Sequence, residues 1–152
     1  MYLTLKLLHV VAVIVFLGNI LTGLFWHAHA AGTRDPGHLA HAMAGIIRSD
    51  RLFTMPGVIV IIASGIATAI YGHLPILRTG WILWTLILFG ASGLIFMLRV
   101  APLQRRLLAL AQVPTFDEVT YRSTALRWEL WGAAALITPL AGLALMVLKP
   151  SL

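Results

Sequence analysis

Apolar side chains fill four long stretches of this 152-residue chain, at about 3–26, 53–71, 81–100 and 128–148, and polar positions gather between them. Each stretch is close to the roughly 20 residues that an α-helix needs to cross about 30 Å of hydrocarbon. None alternates apolar and polar residues as a membrane strand does, and backbone amides in lipid must be bonded within their own segment. The pattern therefore predicts an all-α fold, a four-helix transmembrane bundle forming a single integral membrane domain over 1–152. The first stretch also imitates a secretory signal, with Lys6 ahead of an apolar run and Ala28-His29-Ala30 shaped like a cleavage site. Its apolar run is longer than an ordinary signal core, and Trp26 and His27 crowd the cleavage position, so it is read as a retained span.

The segments between the spans carry their own patterns. Residues 32–37 (GTRDPG) read as a turn, and 38–50 as a short amphipathic helix with Leu39, Met43, Ile46 and Ile47 on one side, lying at the cytoplasmic interface between spans one and two. Gly72, Pro75 and Gly80 make the next connection brief and predict that spans two and three form an antiparallel hairpin. Pro102 ends or bends span three, after which a basic helix over 103–112 runs to the turn at Pro114. Small residues mark expected helix contacts, because close backbone approach supplies the association energy that lipid tails do not. These are Gly57, Ser64 and Thr68 in span two, Gly90 and Gly93 in span three, and Gly132, Ala135, Pro139 and Gly142 in span four. Pro139 deprives the Ala135 carbonyl of its helical donor and predicts a bend there.

Composition agrees with the pattern: at 60% hydrophobic and 11% charged, the chain has too little polar surface to cover a soluble globule. The absence of cysteine excludes structural disulfides and thiolate or iron–sulfur sites. The net charge of +6 is mostly a topology signal. Arg34, Arg48 and Arg51 lie between spans one and two, and Arg105, Arg106, Arg122 and Arg127 between three and four, against Lys6, Arg78 and Lys149 on the opposite side. Positive residues collect in the cytoplasm, so both termini are expected outside. No solvated basic domain suits nucleic acid, and no nucleophile elbow, phosphate loop or paired-carboxylate motif is present.

Chemistry concentrates on histidine. His9 lies one or two turns inside the first span, where an ionisable group is costly and by default marks a site facing the bundle interior. It shares a stripe with Val13, Phe16, Ile20, Gly23 and His27, because eighteen residues make five whole turns; His27 is then roughly 27 Å away in the other leaflet. Four-helix bundles hold haem between inward histidines, and His73 returns to the same outer side as a possible second ligand. Lys6 and Arg78 are available for propionates, and Trp81 or Trp84 for a pocket wall. The rival reading of His9 is a neutral imidazole bonded to a neighbouring helix. On the cytoplasmic side, His27, His29, His38 and His41 could bind a metal, although an exposed interfacial cluster is favoured. Arg99 with Glu129, and Arg48 or Arg51 with Asp50, are expected to pair.

Tyr2-Leu3-x-Leu5-Lys6-x-Leu8-His9-Val10, Gly18-Asn19, Ser49-Asp50-Arg51-Leu52-Phe53-Thr54-x-Pro56-Gly57, Gly65 and Pro102-Leu103-Gln104-Arg105-Arg106 resemble a bacterial family of predicted four-span integral membrane proteins of unknown function. The likeness covers nearly the whole chain and implies a multi-pass protein of the bacterial inner membrane. More distantly, Lys6-x-x-His9 and the proline-containing second span resemble the haem-b membrane protoporphyrinogen oxidase of the HemJ type and the CopD-type copper-resistance membrane domain. That resemblance implies haem b on His9, with Lys6 carried over less securely, and a redox protein exchanging electrons with quinone or a porphyrin-like substrate. The alternatives are a copper or other metal carrier, against which few methionines share a face with His9, and a non-catalytic scaffold or accessory subunit. Homo-oligomerisation stays open.

Overall fold

Two prolines shape the middle of the chain. In the computed structural model, which describes residues 1–151, Pro56 and Pro102 each stand just inside the start of a helix that continues an earlier one. Proline has no N–H to give, and its ring crowds the carbonyl four residues back, so a regular α-helical ladder is disturbed there. The backbone widens instead into a π-helical turn before each proline, Asp50–Thr54 and Phe96–Val100. These turns are closed by Met55 N–H to the Asp50 carbonyl and Ala101 N–H to the Phe96 carbonyl. The elements are thus α1 (Tyr2–Thr33), α2 (Pro36–Ser49), the first π turn, α3 (Met55–Tyr71), α4 (Gly80–Ile95), the second π turn, α5 (Ala101–Gln112) and α6 (Glu118–Leu148).

Four rods result, of 32, 36, 33 and 31 residues. At 1.5 Å per residue they are roughly 46–54 Å long, well beyond the hydrocarbon thickness. The stretches read from sequence are their apolar portions. The excess lies mainly toward the connections at 34–35 and 113–117, here called the basic end; both termini and the 72–79 connection form the terminal end. The short amphipathic helix expected between spans one and two is present as α2, which runs directly through the π turn into α3. Its Leu39, Met43 and Ile46 pack with Val100, Leu107 and Ala111 of the third rod and with Tyr121, Ala125 and Trp128 of α6. Burial of that apolar face holds α2 along the bundle. Asp35 caps it, accepting the Gly37 N–H at 2.7 Å.

Helix pairing departs from chain order. α1 packs along α3, α4 along α6, and α2 along α5. The hairpin expected of spans two and three is corrected as well, since among the described residues α3 and α4 make no close backbone approach. The small-residue face of α3 is turned toward α1 instead: Gly57 meets Phe16, Gly65 meets His9 and Gly72 meets Tyr2, so side chains seven residues apart on α1 each rest on a glycine. A Cβ at Gly65 would stand 3.0 Å from the His9 ring.

Between α4 and α6 hydroxyls do similar work. The Ser92 hydroxyl donates to the Ala135 carbonyl at 2.6 Å, the group that Pro139 leaves without its helical donor, and the Thr85 hydroxyl reaches the Gly142 carbonyl at 3.2 Å. Gly90 and Gly93 face no neighbour, contrary to expectation. The two pairs join through Ala12, Phe16, Leu17, Ile61 and Leu136, with the Phe16 and Phe89 rings 5.5 Å apart. Beyond this layer, toward the terminal end, α3 and α4 stand apart.

Candidate functional site

The first π turn aims two polar side chains, Asp50 and Thr54, at the bundle interior. Asp50 is 7% exposed and lies within the second membrane-crossing rod. Its Oδ1 accepts from Asn19 Nδ2 at 3.0 Å and from the Thr54 hydroxyl at 2.8 Å; its Oδ2 accepts from Gln104 Nε2 at 2.8 Å. Asn19 also donates to Thr54 Oγ1 at 2.9 Å. Every donor is uncharged. The pairing expected with Arg48 or Arg51 is corrected: both arginines are exposed, and among the described residues no cationic side chain lies within 4.0 Å of Asp50. Beside the carboxylate is a cavity of about 30 Å³ lined by Asn19, Asp50, Gln104 and Trp128, among others. Trp128 is 2% exposed, and its indole N–H has no partner.

Nearer the basic end, α1 presents His27, 1% exposed, between α6 side chains. Its Nε2 lies 3.2 Å from the Tyr121 hydroxyl, its Nδ1 3.3 Å from Glu129 Oε1 but outside hydrogen-bond geometry, and its ring meets the Trp128 ring edge-on at 4.8 Å. Glu129 therefore serves His27 rather than Arg99, whose guanidinium sits 5.3 Å over the Trp131 ring. A cavity of about 440 Å³ reaches this cluster, with Arg34, Glu118 and Arg122 also on its walls. That is the size of a small-molecule site.

The residues singled out for haem lie at the terminal end. His9 is half-buried, with Nδ1 3.0 Å from the Ile61 carbonyl and 3.2 Å from Ser64 Oγ. The Ser64 hydroxyl is itself committed to the Val60 carbonyl, so Nδ1 carries the proton and donates, leaving Nε2 as an acceptor. Nε2 has no protein partner and is not sealed from its surroundings. His73 is exposed in the 72–79 connection with a left-handed backbone (φ 53), eight residues beyond Gly65. That is roughly 12 Å along α3, so the structure does not bring it beside His9. Lys6 and Arg78 are exposed; Trp81 belongs to the other helix pair, with Lys149 Nζ 5.6 Å over its ring.

The four histidines read as a cluster are dispersed. His27 is buried against Tyr121, His29 lies near Phe25 and Trp26, His38 lies near Thr33 and Asp35, and His41 is exposed. Among the described residues no group of three or more His, Asp or Glu is placed to hold a metal ion.

Sequence reasoning passed over Thr54, Gln104 and Tyr121 as chemistry, and carried Asn19 only within the family resemblance. A signal was present: Asn19, Asp50, Thr54 and Gln104 all fall in the stretches that carry the family resemblance, and Asp50 and Gln104 flank the two prolines.

Residues 3–150 match the model of a family described as predicted integral membrane protein (DUF2269). No curated protein and no solved structure matches the chain.

Proposed function

We propose that this chain, which belongs to the DUF2269 family of predicted integral membrane proteins, is a haem-b-binding membrane redox protein that exchanges electrons with a quinone or a porphyrin-like substrate. The observation that carries the reading is the tautomer of His9. With Nδ1–H held by the Ile61 carbonyl, the ring is oriented and the Nε2 lone pair is free, which is how ligating histidines are prepared. Haem b would supply one-electron redox chemistry at its iron.

In this reading His9 Nε2 holds the iron, Lys6 and Arg78 take the propionates at the bilayer surface, and Trp81 walls the site. His73 joins as a second ligand only if the 72–79 connection folds inward. The gap between α3 and α4 admits a lipid-borne partner from the side. In this reading the basic end faces the cytoplasm of a bacterium and both termini lie outside the inner membrane, an orientation that the arginine bias supports.

One observation favours a scaffold instead: His9 is the middle of three α1 side chains seated on glycines, and packing alone would use it. A visible spectrum separates the two. Protein purified from haem-supplied cells should show a Soret band that shifts with dithionite, and His9→Ala should lose it while still inserting. Absence of any Soret band in the parent protein would refute the haem reading, and an unchanged band in His9→Ala would move the ligand elsewhere.

A further inference from the structure

We propose that Asp50 is a proton-binding site in the bundle interior, supplied from the basic end. The proposal does not depend on whether His9 binds haem. A carboxylate inside a membrane-crossing bundle is costly and by default marks an ion or proton route. Here its three neighbours in the network, Asn19, Thr54 and Gln104, contribute dipoles and no charge, so the negative charge is left without a counter-ion. The charged groups on the surrounding elements are all turned elsewhere. Arg48 and Arg51 on its own rod are exposed, as are Arg105 and Arg106 on α5; Arg99 lies over Trp131, and His27 on α1 and Glu129 on α6 engage each other.

The space beside the carboxylate is small. Trp128, whose indole N–H has no partner, lines the 30 Å³ cavity, which has room for about one water. A proton needs no such space. Added to Oδ2, it forms an O–H bond, converts carboxylate to carboxylic acid and removes the charge; the new O–H donates to that water, or to Gln104 Oε1 once the amide turns over.

The two sides of Asp50 differ in titratable side chains. Toward the terminal end, Ala12, Phe16, Leu17, Ile61 and Leu136 close the core with apolar side chains. Toward the basic end, the 440 Å³ cavity reaches His27, Tyr121 and Glu129, and the His27 ring meets the ring of Trp128, which also lines the Asp50 cavity. In this proposal His27 and Glu129, the titratable groups on that side, supply the proton.

Infrared spectroscopy in lipid nanodiscs tests this. The chain holds three aspartates, and Asp35 and Asp117 are exposed helix caps that Asn can replace. With both changed to Asn and isotope-labelled aspartate supplied, Asp50 is the only labelled carboxyl. The expected result is a label-shifted C=O band of a protonated acid that grows as pH falls and is lost in Asp50→Asn. His27→Gln should slow its appearance after a pH jump. No such band at any pH where the protein stays folded would overturn the proposal, as would a carboxylate that responds to Na⁺ and not to pH. An unchanged rate in His27→Gln would overturn the basic-end route. The labelled protein with Asp50 intact keeps the test decisive if Asp50→Asn does not fold.

Discussion

Replacing Ser92 with alanine removes the near donor to the Ala135 carbonyl, and the cost depends on a residue that Ser92 does not touch. In α6 that carbonyl would ordinarily accept the N–H of residue 139, which is proline, so Ser92 at 2.6 Å takes the place of the missing backbone donor. The Thr138 hydroxyl is a distant substitute at 3.5 Å and is engaged by Ala134 at 3.2 Å. Ser92 is 3% exposed, and no water reaches the group once the hydroxyl is gone. Leaving a buried acceptor unpaired costs about 1–3 kcal/mol, and side-chain hydrogen bonds between membrane helices average about 0.6 with a maximum near 1.7. We expect about 1.5 kcal/mol for Ser92→Ala, roughly tenfold in the unfolding equilibrium.

In a Pro139→Ala background the helix supplies its own N–H to Ala135, and the same substitution should cost less than about 0.5 kcal/mol, leaving a coupling near 1 kcal/mol. A double-mutant cycle by reversible denaturing-detergent unfolding in micelles measures this. Equal cost of Ser92→Ala in both backgrounds would refute the assignment of Ser92 as the surrogate donor.

Gly65→Ala puts a methyl group 3.0 Å from His9 Cε1 and 3.3 Å from Nδ1, on a ring already tied to Ile61. It should destabilise by about 1–3 kcal/mol, with the loss relieved in His9→Ala, whereas Gly18→Ala, with nothing within 4 Å, should be near neutral. Single cysteines at Thr33 and Gln112 should be shielded from an impermeant thiol reagent in intact cells and one at Leu74 labelled; the reverse pattern would invert the proposed orientation. Asp117 caps α6, and the Thr120 hydroxyl first, then the Thr120 and Val119 amides, hold its carboxyl below the usual carboxylate range. A depressed folded value means that the cap stabilises above the unfolded value and is lost as pH falls through the folded one. Amide protection factors at residues 118–121, each taken against intrinsic exchange at the same pH, should therefore fall on acidification in the parent chain and show no such step in Asp117→Ala.

Length and apolar patterning alone determined that this chain crosses a membrane four times as helices, because an unpaired backbone in hydrocarbon leaves no other solution for four runs of this length. The deprived carbonyl at Ala135 was equally legible, since proline chemistry is local. Which helix answers it was not: Ser92 is forty-three residues away, and nothing in the pattern of either helix names the other. The same holds for α3, whose glycine face could have met α4 across a brief connection and instead meets α1, because ring-on-glycine contact at Tyr2, His9 and Phe16 is set by shape. Charge misled for a physical reason. Opposite signs near one depth suggested Arg99 with Glu129 and an arginine with Asp50, but arginines at the rim reach outward, while Asp50 faces inward and the half-exposed Glu129 turns to His27. Only the tertiary structure could decide that Glu129 meets His27 and that Asp50 is held by three neutral donors from three different rods.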